Sequence, residues 1–161
     1  MNEISGDIRF VNYSKLGYAD IGLADSGRDV EGDGGLETAV LISLFTNARE
    51  NDESRLPGNI NDKGGWWGSE FSEFEIGSRL WLLRRARNRN EILSLSEQYA
   101  RQALQWMIDR EVAETVEVES SFSDQKTLQL DIQISRPKVT ETDRYTYRYF
   151  YNWENQTLWR E

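Results

Sequence analysis

Residues 128–135 read Leu-Gln-Leu-Asp-Ile-Gln-Ile-Ser. Apolar and polar positions alternate strictly. Leu128, Leu130, Ile132 and Ile134 therefore share one face of an extended chain, and Gln129, Asp131, Gln133 and Ser135 share the other. This is a half-buried β-strand with one face on a core, stopped by Arg136-Pro137. Upstream, Val112, Val116 and Val118 begin another strand, and the polar stretch 120–126 turns the chain so that the two run antiparallel. Downstream, Tyr145, Tyr147, Tyr149, Tyr151 and Trp153 alternate with Thr146, Arg148, Phe150 and Asn152. That pattern predicts a third strand with aromatic side chains along one face. Near the chain end it can be an edge strand, whose backbone is free to pair with another chain through Tyr147 and Tyr149. The same aromatic face can equally cover the helices, since face and edge are different surfaces.

Before the strands the period is helical. In 90–109, Ile92, Leu95, Tyr99, Ala103 and Trp106 fall three and four apart, with Leu104, Met107 and Ile108 widening the stripe. A first helix is predicted over 36–49 from Leu36, Ala39/Val40 and Leu44, with Asp33 as its cap. A second is predicted from Glu75 or Ile76 to about Arg87, with Ile76, Leu80, Trp81 and Leu83 facing inward. Arg84, Arg85, Arg87 and Arg89 crowd its far end, where cations suit the helix dipole. They read either as a solvated helix end or as a basic contact patch. Residues 7–12 and 20–23 are candidate short strands. Asp25, Asp29, Glu31 and Asp33 lie in a glycine-rich loop. They loosely resemble a Ca²⁺ loop without its ligand spacing, or form a solvated acidic loop. The expected fold class is α+β: three helices packed on a small antiparallel sheet of about three to five strands. It occupies one domain, 1–161, with an irregular region at 1–35 and a loose tail at 154–161.

The 161-residue chain carries a net charge of −9, which argues against nucleic acid as a partner. It contains neither histidine nor cysteine. That excludes Ser-His-Asp catalysis, thiol nucleophiles, disulfides and Cys- or His-based metal sites. No cofactor is implied. The first ten residues lack the basic and apolar regions of a signal peptide, and no apolar run is long enough to span a membrane, so synthesis in the cytoplasm is expected.

Between the first two predicted helices stands Asp62-Lys63-Gly64-Gly65-Trp66-Trp67-Gly68. Adjacent tryptophans between glycines make either a stacking platform for a sugar or an anchor that fixes a loop to a core. Asp62, Glu70, Glu73 and Glu75 flank them, and a glycosidase would use two such carboxylates. No spacing rule is met, in a chain where 28 residues are acidic.

Several blocks taken together resemble a known family. They are Gly35-Leu36-Glu37-Thr38-Ala39-Val40-Leu41-Ile42-Ser43-Leu44-Phe45-Thr46, Leu56-Pro57, Gly64-Gly65-Trp66-Trp67-Gly68 and Ile76-Gly77-Ser78-Arg79-Leu80-Trp81-Leu82-Leu83. In this order they are similar to the Mu-type bacteriophage tail proteins assigned to the baseplate wedge of contractile tails. The resemblance runs from about Ala19 to Trp153 and includes Tyr99, Trp106, Val116, Val118 and Ile132-x-Ile134-x-Arg136-Pro137. It extends to the small wedge proteins of larger contractile phages and of type VI secretion baseplates, some of which have carried a lysozyme label. It implies a non-enzymatic adaptor between wedge core and tube–sheath platform, with other wedge subunits and sheath or tube-initiator proteins as partners. It also implies strand donation or acceptance. In the related proteins a Glu/Pro/Arg-type motif after the first helix grips neighbouring subunits. Here that region is Thr46 to Gly68, with Arg49, Arg55 and Pro57 the nearest equivalents. The candidate interface is then Arg49, Arg55, Pro57, Trp66, Trp67, Arg84, Arg85, Arg87, Tyr147 and Tyr149, and the expected place of action is a virion tail baseplate. A lysozyme-like hydrolase or sugar-binding module at Trp66/Trp67 is the alternative.

Overall fold

The computed structural model describes residues 10–13, 18–21, 36–52, 56, 62–66, 75–86, 88–136 and 144–160. The alternating stretch that opened the sequence reading is central. It forms β4 (Thr127–Ser135), paired antiparallel with β3 (Thr115–Phe122) on one side and β5 (Arg144–Asn152) on the other. The register sets Ile132 opposite Tyr147, Leu130 opposite Tyr149 and Leu128 opposite Tyr151. All four apolar side chains of β4 are fully buried. Each such burial contributes on the order of 1.5–3 kcal/mol.

A fourth strand, β6 (Thr157–Arg160), pairs with Tyr149–Asn152 and completes the order β3-β4-β5-β6. It lies in the polar tail expected to be loose. Its signal is short: Leu158 packs on the core while Trp159 stacks on Phe150, with ring centroids 5.7 Å apart. Arg160 ties the strand down through an ion pair with Glu37 and sits over the Tyr147 ring. A separate two-stranded antiparallel sheet is formed by β1 (Phe10–Tyr13) and β2 (Tyr18–Ile21).

The fold class is α+β, but there are two α-helices among the described residues, not three. They are α1 (Leu36–Phe45) and α2 (Arg89–Asp109). Helix α2 begins where Asn88 caps it, its side chain accepting the Glu91 N–H at 2.8 Å. Its buried stripe is Ile92, Ser96, Tyr99, Ala100, Ala103, Leu104 and Met107, rotated slightly from the predicted one. Leu95 and Trp106 are half-buried at its margin, and the Trp106 indole donates to Ser43 of α1.

The predicted second helix is instead an extended stretch followed by a short 3-10 helix, Leu80–Arg85. Tertiary hydrogen bonds override the local pattern. Asn47 and Ser78 form a parallel bridge, in which Ser78 N–H donates to Thr46 O at 2.8 Å and Ala48 N–H to Ser78 O at 2.9 Å. An α-helix starting at 75 or 76 would need the Ser78 carbonyl for the Leu82 N–H, but that carbonyl takes Ala48 and Leu82 bonds to Arg79 O instead. The same bridge ends α1 at Phe45 rather than Arg49.

The edge of β3 is protected from the side. Glu97 and Arg101 stand one turn apart on α2, bonded to each other at 3.1 Å. Glu97 accepts the Ser120 N–H, and Arg101 donates to the Val118 carbonyl at 2.8 Å. Two edge groups of β3 thus find side-chain partners instead of another strand.

Candidate assembly interface

Residues 46–50, just after α1, are gripped from two directions. One is the Ile76–Arg79 stretch through the bridge already described. The other is the Gly-Gly-Trp loop, where Glu50 N–H donates to Lys63 O at 2.8 Å. Trp81, at the start of the 3-10 helix, closes the arrangement, its indole N–H donating to Ala48 O at 3.1 Å. Gly64 lies against that ring, so close that a Cβ there would stand 2.8 Å from it. The loop is thus anchored to the core by Trp81.

Gly77 explains why glycine stands before Ser78. Its φ is 111°, and an added Cβ would lie 2.5 Å from Thr46 O. Only glycine lets the two chain segments meet there. Arg79 then reaches across. It pairs with buried Glu50 at 3.4 Å and with Glu75 at 3.4 Å, and donates to Arg49 O at 3.2 Å. Glu50 in turn accepts the Asp52 N–H. Sequence reading gave neither Glu50 nor Arg79 a role. A charged pair separated by 29 positions has no local signature, and burial of Glu50 becomes visible only once the segments are joined.

The sequence-predicted interface residues fall into three groups. Arg49, Trp66 and Arg84 are exposed, Trp66 by 38%. Arg49 and Trp66 lie on the two anchored loops, with Gly65, the residue before Trp66, packed against the Arg49 Cβ. The rings of Tyr147 and Tyr149 are buried in the core, opposite Ile132 and Leu130. Tyr149 is moreover paired with Arg160 of β6, so the part of β5 without a second strand among the described residues ends at Arg148. Arg55, Pro57, Trp67 and Arg87 lie outside the described residues, as does the Arg85 side chain.

Of the four carboxylates in the hydrolase reading, Asp62 and Glu75 lie among the described residues. Asp62 is exposed and accepts the Gly64 N–H at 2.9 Å, a local turn bond. Glu75 is bonded to Arg79. Glu70, Glu73 and the acidic residues 25–33 lie outside the described residues. No helix among the described residues is long and apolar enough to cross a membrane.

The family model of Phage protein GP46 matches residues 36–141, from α1 through the loops just described and on past β4. The chain belongs to the GP46 phage protein family. Two relatives within reach of this family assignment are similar over most of their length. "Mu-like prophage FluMu protein gp46" of Haemophilus influenzae is 38% identical over 117 residues, 72% of this chain and 78% of the relative. "Baseplate protein gp46" of Escherichia phage Mu is 36% identical over 115 residues, 71% of this chain and 79% of the relative. The Mu-like resemblance read from the tryptophan and Gly-Ser-Arg-Leu-Trp blocks is thereby shown at the level of the family.

Proposed function

We propose that this GP46-family chain is a structural subunit of a contractile phage or prophage tail baseplate, an adaptor between the wedge core and the tube–sheath platform that acts without catalysis. The observation that carries the reading is the anchored junction at 46–50. Its Gly-Gly-Trp and Ile-Gly-Ser-Arg-Leu-Trp blocks fall within the stretch matched by the family model. The phage Mu relative is named a baseplate protein. The junction holds Arg49 and Trp66 outward on a rigid base, and exposed aromatic and Arg side chains are what protein interfaces favour.

A second surface supports the same reading. β6 pairs with Tyr149–Asn152 alone, so Arg144–Arg148 of β5 have no strand on that side among the described residues. A partner strand would add there by main-chain hydrogen bonds. Other baseplate subunits are the partners, and the virion tail baseplate is the place of action.

The test is co-expression of the full chain with baseplate subunits encoded by the same phage, followed by co-purification. The wild-type chain is expected to co-purify. Charge reversal at Arg84, Arg85 and Arg87 is expected to weaken capture at low salt while leaving the thermal transition in place. Absence of wild-type co-purification with every baseplate subunit would overturn the assignment.

A further inference from the structure

A cavity of about 230 Å³ opens where α1, the Ser78 bridge, the 3-10 helix and the β5–β6 turn meet. Leu44, Leu80 and Leu158 give it an apolar floor, and Asn47, Tyr151 and Gln156 bring polar groups to its walls. Among the described residues, none of these three side chains makes a hydrogen bond. Among the described residues, two exposed amides and the Tyr151 hydroxyl thus stay available to a ligand around one cavity.

Gln156 is held there against its own preference. Its φ is 60°, in the left-handed region that disfavours a side chain. The turn is fixed by Asn152, which accepts the Glu154 and Asn155 N–H groups, and by Asn155, which accepts from Thr157. Arg84 is exposed, makes no ion pair among the described residues, and lies near enough for its charge to act on the Tyr151 phenol. Burial nonetheless pushes that phenol up, so it remains a neutral O–H donor at ordinary pH.

The Asn47, Tyr151 and Gln156 side chains can each donate, the Ser78 hydroxyl being committed to Leu44 O, and the nearby charge is positive. We infer that this cavity receives a carboxylate-bearing side chain from an acidic segment of a partner protein, its methylenes on the leucine floor and its carboxylate between Tyr151, Gln156 and Arg84. The inference rests on the baseplate reading for the partner's class, since it makes the partner a neighbouring baseplate subunit. Charge complementarity singles out that occupant: a chain with net charge −9 places beside this cavity an arginine with no ion pair among the described residues.

Two measurements test it. The first titrates the isotope-labelled full chain with the blocked peptide acetyl-Leu-Glu-Leu-amide, followed by NMR. Shifts are expected at the Asn47 and Gln156 side-chain amides and the Trp81 indole. Affinity should fall about tenfold for the Gln-containing peptide and for Tyr151→Phe, as expected when one charge-assisted hydrogen bond is lost. No shift at millimolar peptide, or an equal response to the Gln peptide, would overturn the inference. The second repeats the co-purification with Gln156→Gly, which relieves the turn and is expected not to lower the melting temperature, and with Arg84→Glu. Capture reduced about tenfold supports the cavity as the site, whereas capture equal to wild type overturns it. If the wild-type chain itself captures no baseplate subunit, the baseplate reading fails, while the peptide titration still judges the cavity.

Discussion

Replacing Gly77 by alanine isolates the junction that sets the fold apart from its local pattern. Two costs add. Forcing an L-residue to φ 111° is a strain of about 1–3 kcal/mol. A Cβ at 2.5 Å from Thr46 O and 2.9 Å from Ala48 N meets backbone, which cannot swing aside. Relief requires separating the segments and weakening the two bridge hydrogen bonds, Ser78 to Thr46 and Ala48 to Ser78, at about 1 kcal/mol each. The sum is roughly 3–5 kcal/mol, a large share of a typical domain's stability of about 5–15 kcal/mol. Urea unfolding followed by tryptophan fluorescence reads it directly, because Trp81 bonds to Ala48 inside the same junction. Gly65→Ala is the internal control. Its φ of 103° carries similar strain, yet its nearest neighbour is the Arg49 side chain at 3.2 Å, the Cβ of an exposed residue. It should cost only about 1–3 kcal/mol, the strain alone. If Gly77→Ala costs no more than Gly65→Ala, the bridge does not hold the junction and the argument for an anchored interface fails.

Three further outcomes follow from particular contacts. Glu111 closes α2 at φ 59°, where helices favour glycine, so Glu111→Gly should stabilise by about 0.5–1 kcal/mol, read as a small rise in melting temperature. Glu97→Ala removes the acceptor of the Ser120 N–H and hydroxyl, and should cost about 1–2 kcal/mol while raising light scattering with concentration, because the β3 edge is opened. Asp124 accepts the Lys126 N–H, which holds its carboxyl below the usual range. Its contribution is complete above the ordinary carboxylate pKa and is lost as pH falls through the lowered value, so Asp124→Asn should lower stability slightly at neutral pH and flatten the acid limb of a stability–pH curve, the two curves meeting at low pH.

The sheet was legible because its code is local. Strict alternation from Leu128 to Ile134, and again from Tyr145 to Trp153, survives any tertiary context that buries one face. Helix α2 was legible for the same reason, and its cap, Asn88, lies two residues before the start read from periodicity. The stretch 75–87 misled because Ile76, Leu80, Trp81 and Leu83 have helical spacing, yet Gly77 and Ser78 are claimed by Thr46 and Ala48, some thirty positions earlier. No window of sequence contains both partners of that bridge. Strand β6 was missed because four residues beside a polar turn carry little pattern, and its stabilising contacts, Arg160 with Glu37 and Trp159 with Phe150, are long-range or cross-strand. The tryptophan loop split in two. Its anchoring followed from the glycines, but which ring anchors it did not: Trp81 is the buried ring that holds it, and Trp66 points to solvent.

The two sides of the sheet are treated differently, and charge explains how the exposed side is tolerated. On β3, Glu97 and Arg101 occupy backbone groups that another strand would need. On β5, residues Arg144–Arg148 keep an open side among the described residues, which would ordinarily invite self-association. An antiparallel pairing of two copies centred on Thr146 would set Arg144 of one copy against Arg148 of the other, on the same face as Thr146. Arg148 is partly neutralised by Asp131 at 2.7 Å, but Arg144 has no ion pair among the described residues. Like charges placed directly opposite destabilise a strand pair. A strand carrying acidic residues at alternate positions meets the opposite situation, gaining from both arginines. The edge is therefore biased against a second copy of this acidic chain and toward a different, acidic strand.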